Sequence, residues 1–207
     1  MTASCCAPEP PAGDSRFHKA LWVALVLNAA MFGVEIFGGV GARSTALLAD
    51  AVDFLGDAAN YAVSLFVLPL GLLWRARTAA LKAWSMAIYG LIVVGYMAYN
   101  VLHGVVPEPM TMGVIGVLAL CVNAGVALML YRFRSGDSNM RSVWLCSRND
   151  AIGNVAVVVA ALGVFGIGTG WPDFIVAGIM ATLALSAAVS LLGQARRELR
   201  ALREAAG

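Results

Sequence analysis

The stretch Leu47-Leu48-Ala49-Asp50-Ala51-Val52-Asp53-Phe54-Leu55-Gly56-Asp57 sets three carboxylates inside an apolar run long enough to cross a membrane. An ionised Asp at mid-bilayer depth costs roughly 2.5–3.5 kcal/mol on insertion scales. Three within eleven residues demand a reason beyond folding. On a helix, Asp50, Asp53 and Asp57 fall at i, i+3 and i+7 and share one face. That face has the chemistry of a cation site, and the rest of the chain can be read as its support.

The surrounding composition is that of a membrane protein. Of 207 residues, 60% are hydrophobic and 13% charged, and the mean hydropathy is +0.81. Soluble domains sit nearer 45–50% apolar and about 25% charged. The apolar runs are continuous rather than alternating, which argues against a β-barrel. Basic residues are not clustered among aromatics, so nucleic acid is not an expected partner. The fold class expected is an all-α membrane protein of six transmembrane helices.

The six apolar spans run from about His18 to Val40, Ser44 to Leu73, Ala79 to Leu102, Met110 to Phe133, Arg141 to Ile167 and Pro172 to Gln194. Each reaches the ~20 residues a spanning helix needs. Gly38-Gly39 and Gly41 mark the end of the first, His103-Gly104 and Pro107 the end of the third. Trp171-Pro172-Asp173 opens the last, with Pro tolerated in a first turn and Asp able to cap. Residues 1–17 read as a flexible cytoplasmic tail, 18–195 as the six-helix domain, and 196–207 as a short basic tail. In this arrangement thirteen of the fourteen Lys and Arg residues fall on one side and Arg43 alone on the other. The excess of basic residues marks the cytoplasmic side, so both termini are expected there, with the protein in the plasma (inner) membrane.

A second polar constellation lies in the fifth span. Cys146, Asp150 and Asn154 recur at i, i+4 and i+8 and stack on one face. At 1.5 Å per residue, Asp53 and Asp57 lie roughly 14 and 20 Å below the outer end of their span, and Asp150 roughly 12 Å above the inner end of its own. In a core about 30 Å thick, all three carboxylates share the middle layer. Two antiparallel helices can then offer Asp53, Asp57, Cys146 and Asp150 to one ion, the number of N, O or S ligands a tetrahedral site takes. A thiolate biases such a site toward softer ions such as Zn²⁺ or Cd²⁺; an all-oxygen site suits Mn²⁺ or Mg²⁺. Cys146 also reads as a small buried hydrophobe, and the carboxylates as interhelical hydrogen-bond partners. Asp50 lies nearer the outer side, where an entry or supporting role fits better than direct ligation. Asn28 and Glu35, at i and i+7 of the first span, either line the cavity or pack between helices, and Asn154 extends the fifth-span face. Cys5 and Cys6, with Glu9, form either a metal-capturing group or part of a featureless tail.

The pattern Ser44…Leu47-Leu48-Ala49-Asp50-Ala51…Asp53…Asp57 resembles the signature of the cation diffusion facilitator family. Asn28, Glu35, Gly38-Gly39 and Trp171-Pro172-Asp173 resemble it too, and the similarity covers roughly Ala20 to Gln194. The resemblance implies six spans with both termini inside, and divalent-metal efflux in exchange for protons, in a homodimer. It also implies a transport site of two residues four apart on each of spans two and five, here Asp53, Asp57, Cys146 and Asp150. The family usually has His or Asp where Cys146 stands, and most members carry a C-terminal cytoplasmic domain after span six, which a short member of this kind is expected to lack. No cofactor is expected beyond the transported metal, Zn²⁺ or Cd²⁺, with protons as counter-ion; the partners are metal ions and the lipid bilayer. Two rival readings are a proton-coupled exporter of small organic cations and a non-transporting membrane metal sensor. An enzyme fits least, because no nucleophile–base pair is apparent and the two histidines lie outside the polar layer.

Overall fold

A computed structural model describes residues 15–67, 72–133 and 138–204. Six α-helices run in order: α1 (Ser15–Ala42), α2 (Thr45–Ala62), α3 (Leu72–Leu102), α4 (Pro109–Tyr131), α5 (Ser138–Ile167) and α6 (Trp171–Glu204). A π-helical turn, Val63–Val67, continues α2. Helices α1 and α3 to α6 are long and apolar enough to cross a membrane; α2, 18 residues carrying three Asp, does not meet that measure by itself.

The C-terminal end of α1 differs from the expected one. Gly38, Gly39 and Gly41 do not stop the helix, which runs on to Ala42. A Cβ on Gly39 would lie 2.9 Å from the Leu48 side chain and 3.2 Å from its backbone nitrogen. The glycine lets α1 approach α2 closely instead of ending α1. The stop is made by Arg43, in the left-handed region at φ 55°. Arg43 N–H donates to Val40 and Ser44 N–H to Gly39, the two bonds of a Schellman ending. At the end of α3, Gly104 takes the same role at φ 60°, as expected.

The start of α2 is buried, so its first N–H groups need partners inside the protein. The Ser44 hydroxyl accepts from Leu47 N–H at 3.1 Å. Asp173 of α6 accepts from the Ser44 hydroxyl at 2.6 Å, Thr45 N–H at 2.8 Å and Ala46 N–H at 3.0 Å. α6 does begin at Trp171, but its acidic residue caps a different helix from the one expected. Asn100 of α3 donates to the Arg43 carbonyl and the Thr45 hydroxyl, and Glu108 N–H donates to the Ala42 carbonyl. The α1–α2 turn is thus held from α3, α6 and the segment before α4. Glu108 in turn caps α4, and the Thr111 side chain and backbone, with Met110 N–H, hold its carboxyl below the usual carboxylate range.

Helices α1 and α2, α3 and α6, and α4 and α5 form the most extensive pairs, and α2 touches every other helix. Thirteen of its 18 residues are buried, which makes it the centre of the bundle. Phe37, Leu128 and Phe165 point outward from the surrounding helices, the inverse of a soluble fold. Small residues bring helices together: Ala177, Ala181, Ala184 and Ala188 of α6 are buried, as are Ala76 and Ala83 of α3. On α2, one apolar cluster ends at Val52 and joins Met112, Val157 and Ala177. A second begins at Tyr61 with Phe17, Val126, Leu130 and Phe133. Asp53 and Asp57 lie between them.

Asp173→Ala strips the caps from three buried donors, and about 3 kcal/mol of stability is expected to go with them. The thermal midpoint in detergent should fall by several degrees. Asp173→Asn, which keeps an acceptor, should fall between the two. A midpoint unchanged in Asp173→Ala would remove this cap as the anchor of α2.

Candidate metal centre

Asp50, Asp53 and Asp57 project from one face of α2. Asp50 and Asp57 are buried and Asp53 is half-buried. The helical phase of the sequence places them so, and the packing of α2 against all other helices turns that face inward. Asp57 meets α5: its carboxyl and that of Asp150 lie within hydrogen-bonding reach. The Tyr61 hydroxyl, one turn further along α2, donates to Asp57 Oδ2 at 3.1 Å. Asp53 stands one turn outward, near enough for its charge to act on Asp150.

A second acidic pair lies nearer the start of α2. Glu35 of α1 and Asp50 of α2 face each other closely enough for their carboxyls to interact. Glu35 is fully buried, and neither of its oxygens nor Asp50 Oδ2 receives an N–H or O–H donor. Asn28, two turns inward on α1, spends its amide on the Ala24 carbonyl and leaves its oxygen without a partner. Asn154 is fully buried with both polar side-chain atoms unpartnered. Native proteins leave few such groups, and each one calls for a reason.

The expected residues are therefore partly gathered. Asp57 and Asp150 meet across α2 and α5, and Glu35 and Asp50 meet across α1 and α2. The backbone at Cys146 is helical, one turn toward the start of α5 from Asp150, but its side chain lies outside the described residues. So do Cys5, Cys6 and Glu9. Among the described residues, no three His, Cys, Asp or Glu side chains are grouped to hold one ion. The donor set of the middle layer is still suited to a hard or borderline divalent cation, since it offers carboxylate oxygens backed by amides.

Sequence reasoning passed over three residues. Tyr61 read as an apolar position, and its place four residues after Asp57 was the available signal. Asp173 read as a cap for its own helix. Lys82 read as one of the basic residues between two spans, although it interrupts the apolar run of the third. In the structure it is half-buried on α3 and its ammonium donates to Asn60 Oδ1 of α2.

Comparison with known proteins places these observations in a lineage. The cation efflux transmembrane domain matches residues 21–72 and 75–200. The chain belongs to the cation efflux, or cation diffusion facilitator, family. It is a multi-pass membrane protein. The metal cation efflux system protein CzcD of Cupriavidus metallidurans is 27% identical over 181 residues, 82% of this chain and 56% of that protein. The cadmium, cobalt and zinc/H(+)-K(+) antiporter of Bacillus subtilis is 26% identical over 183 residues, 81% of this chain and 58% of the relative. Metal tolerance protein A2 of Arabidopsis thaliana is 44% identical over 77 residues, 37% of this chain and 18% of the relative. The chain thus spans little more than half the length of the bacterial relatives it matches.

Asn154 offers a test of whether the polar layer is kept for reasons other than stability. Leu has nearly its size and no polar atoms to desolvate. Asn154→Leu is expected to gain roughly 1–3 kcal/mol, read as a higher thermal midpoint in metal-free detergent solution. A lower midpoint would mean that Asn154 is a structural partner after all.

Proposed function

We propose that this chain is a proton-coupled exporter of divalent metal cations, with Zn²⁺ and Cd²⁺ as the favoured cargo. The observation that carries the reading is the meeting of Asp57 of α2 with Asp150 of α5 inside the bundle. Family membership supports it, as does the Bacillus subtilis relative named a cadmium, cobalt and zinc/H(+)-K(+) antiporter. In this reading α2 and its π-turn, 18 and 5 residues, are together long enough, at roughly 34 Å, to cross as the sixth span. Both termini are cytoplasmic, and the protein works as a homodimer in the plasma membrane.

Asp53, Asp57, Cys146 and Asp150 take the ion from the cytoplasm. The buried Ser44, Thr45, Asn100 and Asp173 seal the outer end, whereas Asp53, Asn60 and Lys82 are only half-buried, which supports an inward-facing arrangement. A rearrangement of the bundle then exposes the site outward. A carboxylate binds a metal or a proton but not both at one lone pair, so protons arriving from outside release the metal, and the protonated site returns. Coupling needs no separate device, because the two ligands compete for the same oxygens. Asp50, with Glu35, lies outward of the site and serves entry or exit. Binding at mid-depth where two helices face each other is a common arrangement for transporters.

In proteoliposomes with an imposed pH gradient, Asp53→Ala and Asp150→Ala are each expected to lower ⁶⁵Zn²⁺ or Cd²⁺ flux by at least roughly tenfold, since each removes one of about four ligands. Parental flux in both would sink the site. Titration calorimetry of Zn²⁺, Cd²⁺ and Mn²⁺ then addresses the thiol. Cys146→Ser is expected to weaken Cd²⁺ binding by about tenfold more than Mn²⁺ binding. An equal change for all three ions would make Cys146 a packing residue and the site one of carboxylates.

A further inference from the structure

Lys82 is ten residues into α3 from Leu72, about 15 Å along the axis. It is half-buried in the apolar run Ala79-Ala80-Leu81-Lys82-Ala83-Trp84-Ser85-Met86, beside the fully buried Ala83. A lysine at this depth either reaches back to the membrane surface or serves a polar site within the bundle. Here it turns to α2 and donates to Asn60 Oδ1. Asn60 follows Asp57 by three residues and shares its side of the helix. The ammonium therefore sits about one helical turn from the Asp57 carboxylate, close enough for its charge to act on it. Asp57 Oδ2 accepts from the Tyr61 hydroxyl, and the carboxyl otherwise faces Asp150, so Lys82 acts on it by charge.

This geometry gives Lys82 a task that topology does not explain. Asn60 acts as a tether that holds a fixed positive charge at the cytoplasmic side of the acidic layer. We propose that Lys82 is a resident cation of the metal site. It partly offsets the charge of Asp57 before metal arrives, and it opposes the divalent ion once bound, keeping affinity low enough for release. Lys82 touches no cargo; it is a positioning residue that acts through Asn60 and through its charge. Coulomb attraction and repulsion at this range are strong inside a protein, where water screens poorly. The proposal rests on the reading of Asp57 as part of the metal site.

The test uses the full chain in nanodiscs, with Cd²⁺ as the probe, and proteoliposomes for flux. Lys82→Gln removes the charge but keeps a donor for Asn60, and Lys82→Met removes both. Lys82→Arg keeps the charge. Loss of charge is expected to tighten Cd²⁺ binding by about tenfold, which equals about 1.4 kcal/mol. KM and Vmax should fall together in Lys82→Gln, because a tighter site releases its ion more slowly. Lys82→Arg should restore parental binding to within about twofold. Unchanged or weaker binding in folded Lys82→Gln or Lys82→Met overturns the proposal, and so does tightening in Lys82→Arg equal to that in Lys82→Gln. Asp57→Asn separates the two levels of inference. If it abolishes binding while Lys82→Gln changes nothing, the proposal for Lys82 fails and the metal site stands. If Asp57→Asn leaves binding intact, the site reading fails and the role of Lys82 goes with it.

Discussion

Lipid offers no hydrogen bonds and little screening, so the acidic face of α2 has to be surrounded by protein. That requirement organises the bundle. A helix with Asp50, Asp53 and Asp57 on one face cannot sit at the periphery, and α2 is the helix that touches all five others. Burial of α2 creates a second requirement at its start, where four N–H groups would otherwise be stranded away from water. Asp173 meets it from α6, a helix far away in sequence. The carboxylates along α2 and the carboxylate that caps its start are thus linked. One set forces α2 to the centre, and the other makes the centre habitable for a helix terminus.

The acidic groups meet across helices. Glu35 faces Asp50 from α1, and Asp150 faces Asp57 from α5. Each pair joins α2 to a different neighbour, so a ligand that binds between two carboxyls acts on the distance between two helices. The helices themselves are joined by small residues and apolar side chains, which slide more easily than polar contacts break. At its start, Ser44 to Ala46, α2 is anchored by hydrogen bonds to α6 and, through Asn100, to α3. A bundle fixed at the start of α2 and joined by carboxyl pairs further along it would concentrate the effect of a cation bound there on the helices around the acidic face.

Much of this was legible in the sequence, for physical reasons. Long apolar runs define spanning helices almost regardless of context, and the helix rise converts residue numbers into depth. That arithmetic put Asp57 and Asp150 at one depth and so permitted their meeting, which only the fold supplies. What escaped depends on partners distant in sequence. Gly38, Gly39 and Gly41 carry the composition of a helix end, yet Gly39 is needed for the approach of Leu48, and Arg43 makes the stop. Asp173 has the position of a local cap, and only the fold shows that α2 uses it. Lys82 was counted for topology because a lysine near the end of a span usually marks the cytoplasmic side. Its reach to Asn60 is a tertiary fact.

The unpartnered groups fall into a line. Glu35 lies against Asp50, and α1 runs opposite to α2. Seven residues back along α1 is Asn28, and seven residues on along α2 is Asp57. Both steps cover about 10 Å, so Asn28 is level with Asp57 as Glu35 is level with Asp50. The free oxygen of Asn28 and the free oxygens of Glu35 are therefore the two ends of one column on a single face of α1. Asn154, one turn outward of Asp150 on α5, adds a third wall at the height of Asp53. A packed membrane core would gain stability by filling these positions with Leu or Val. Keeping these positions polar over about 10 Å of helix costs stability that the apolar packing on either side of the acidic face has to offset.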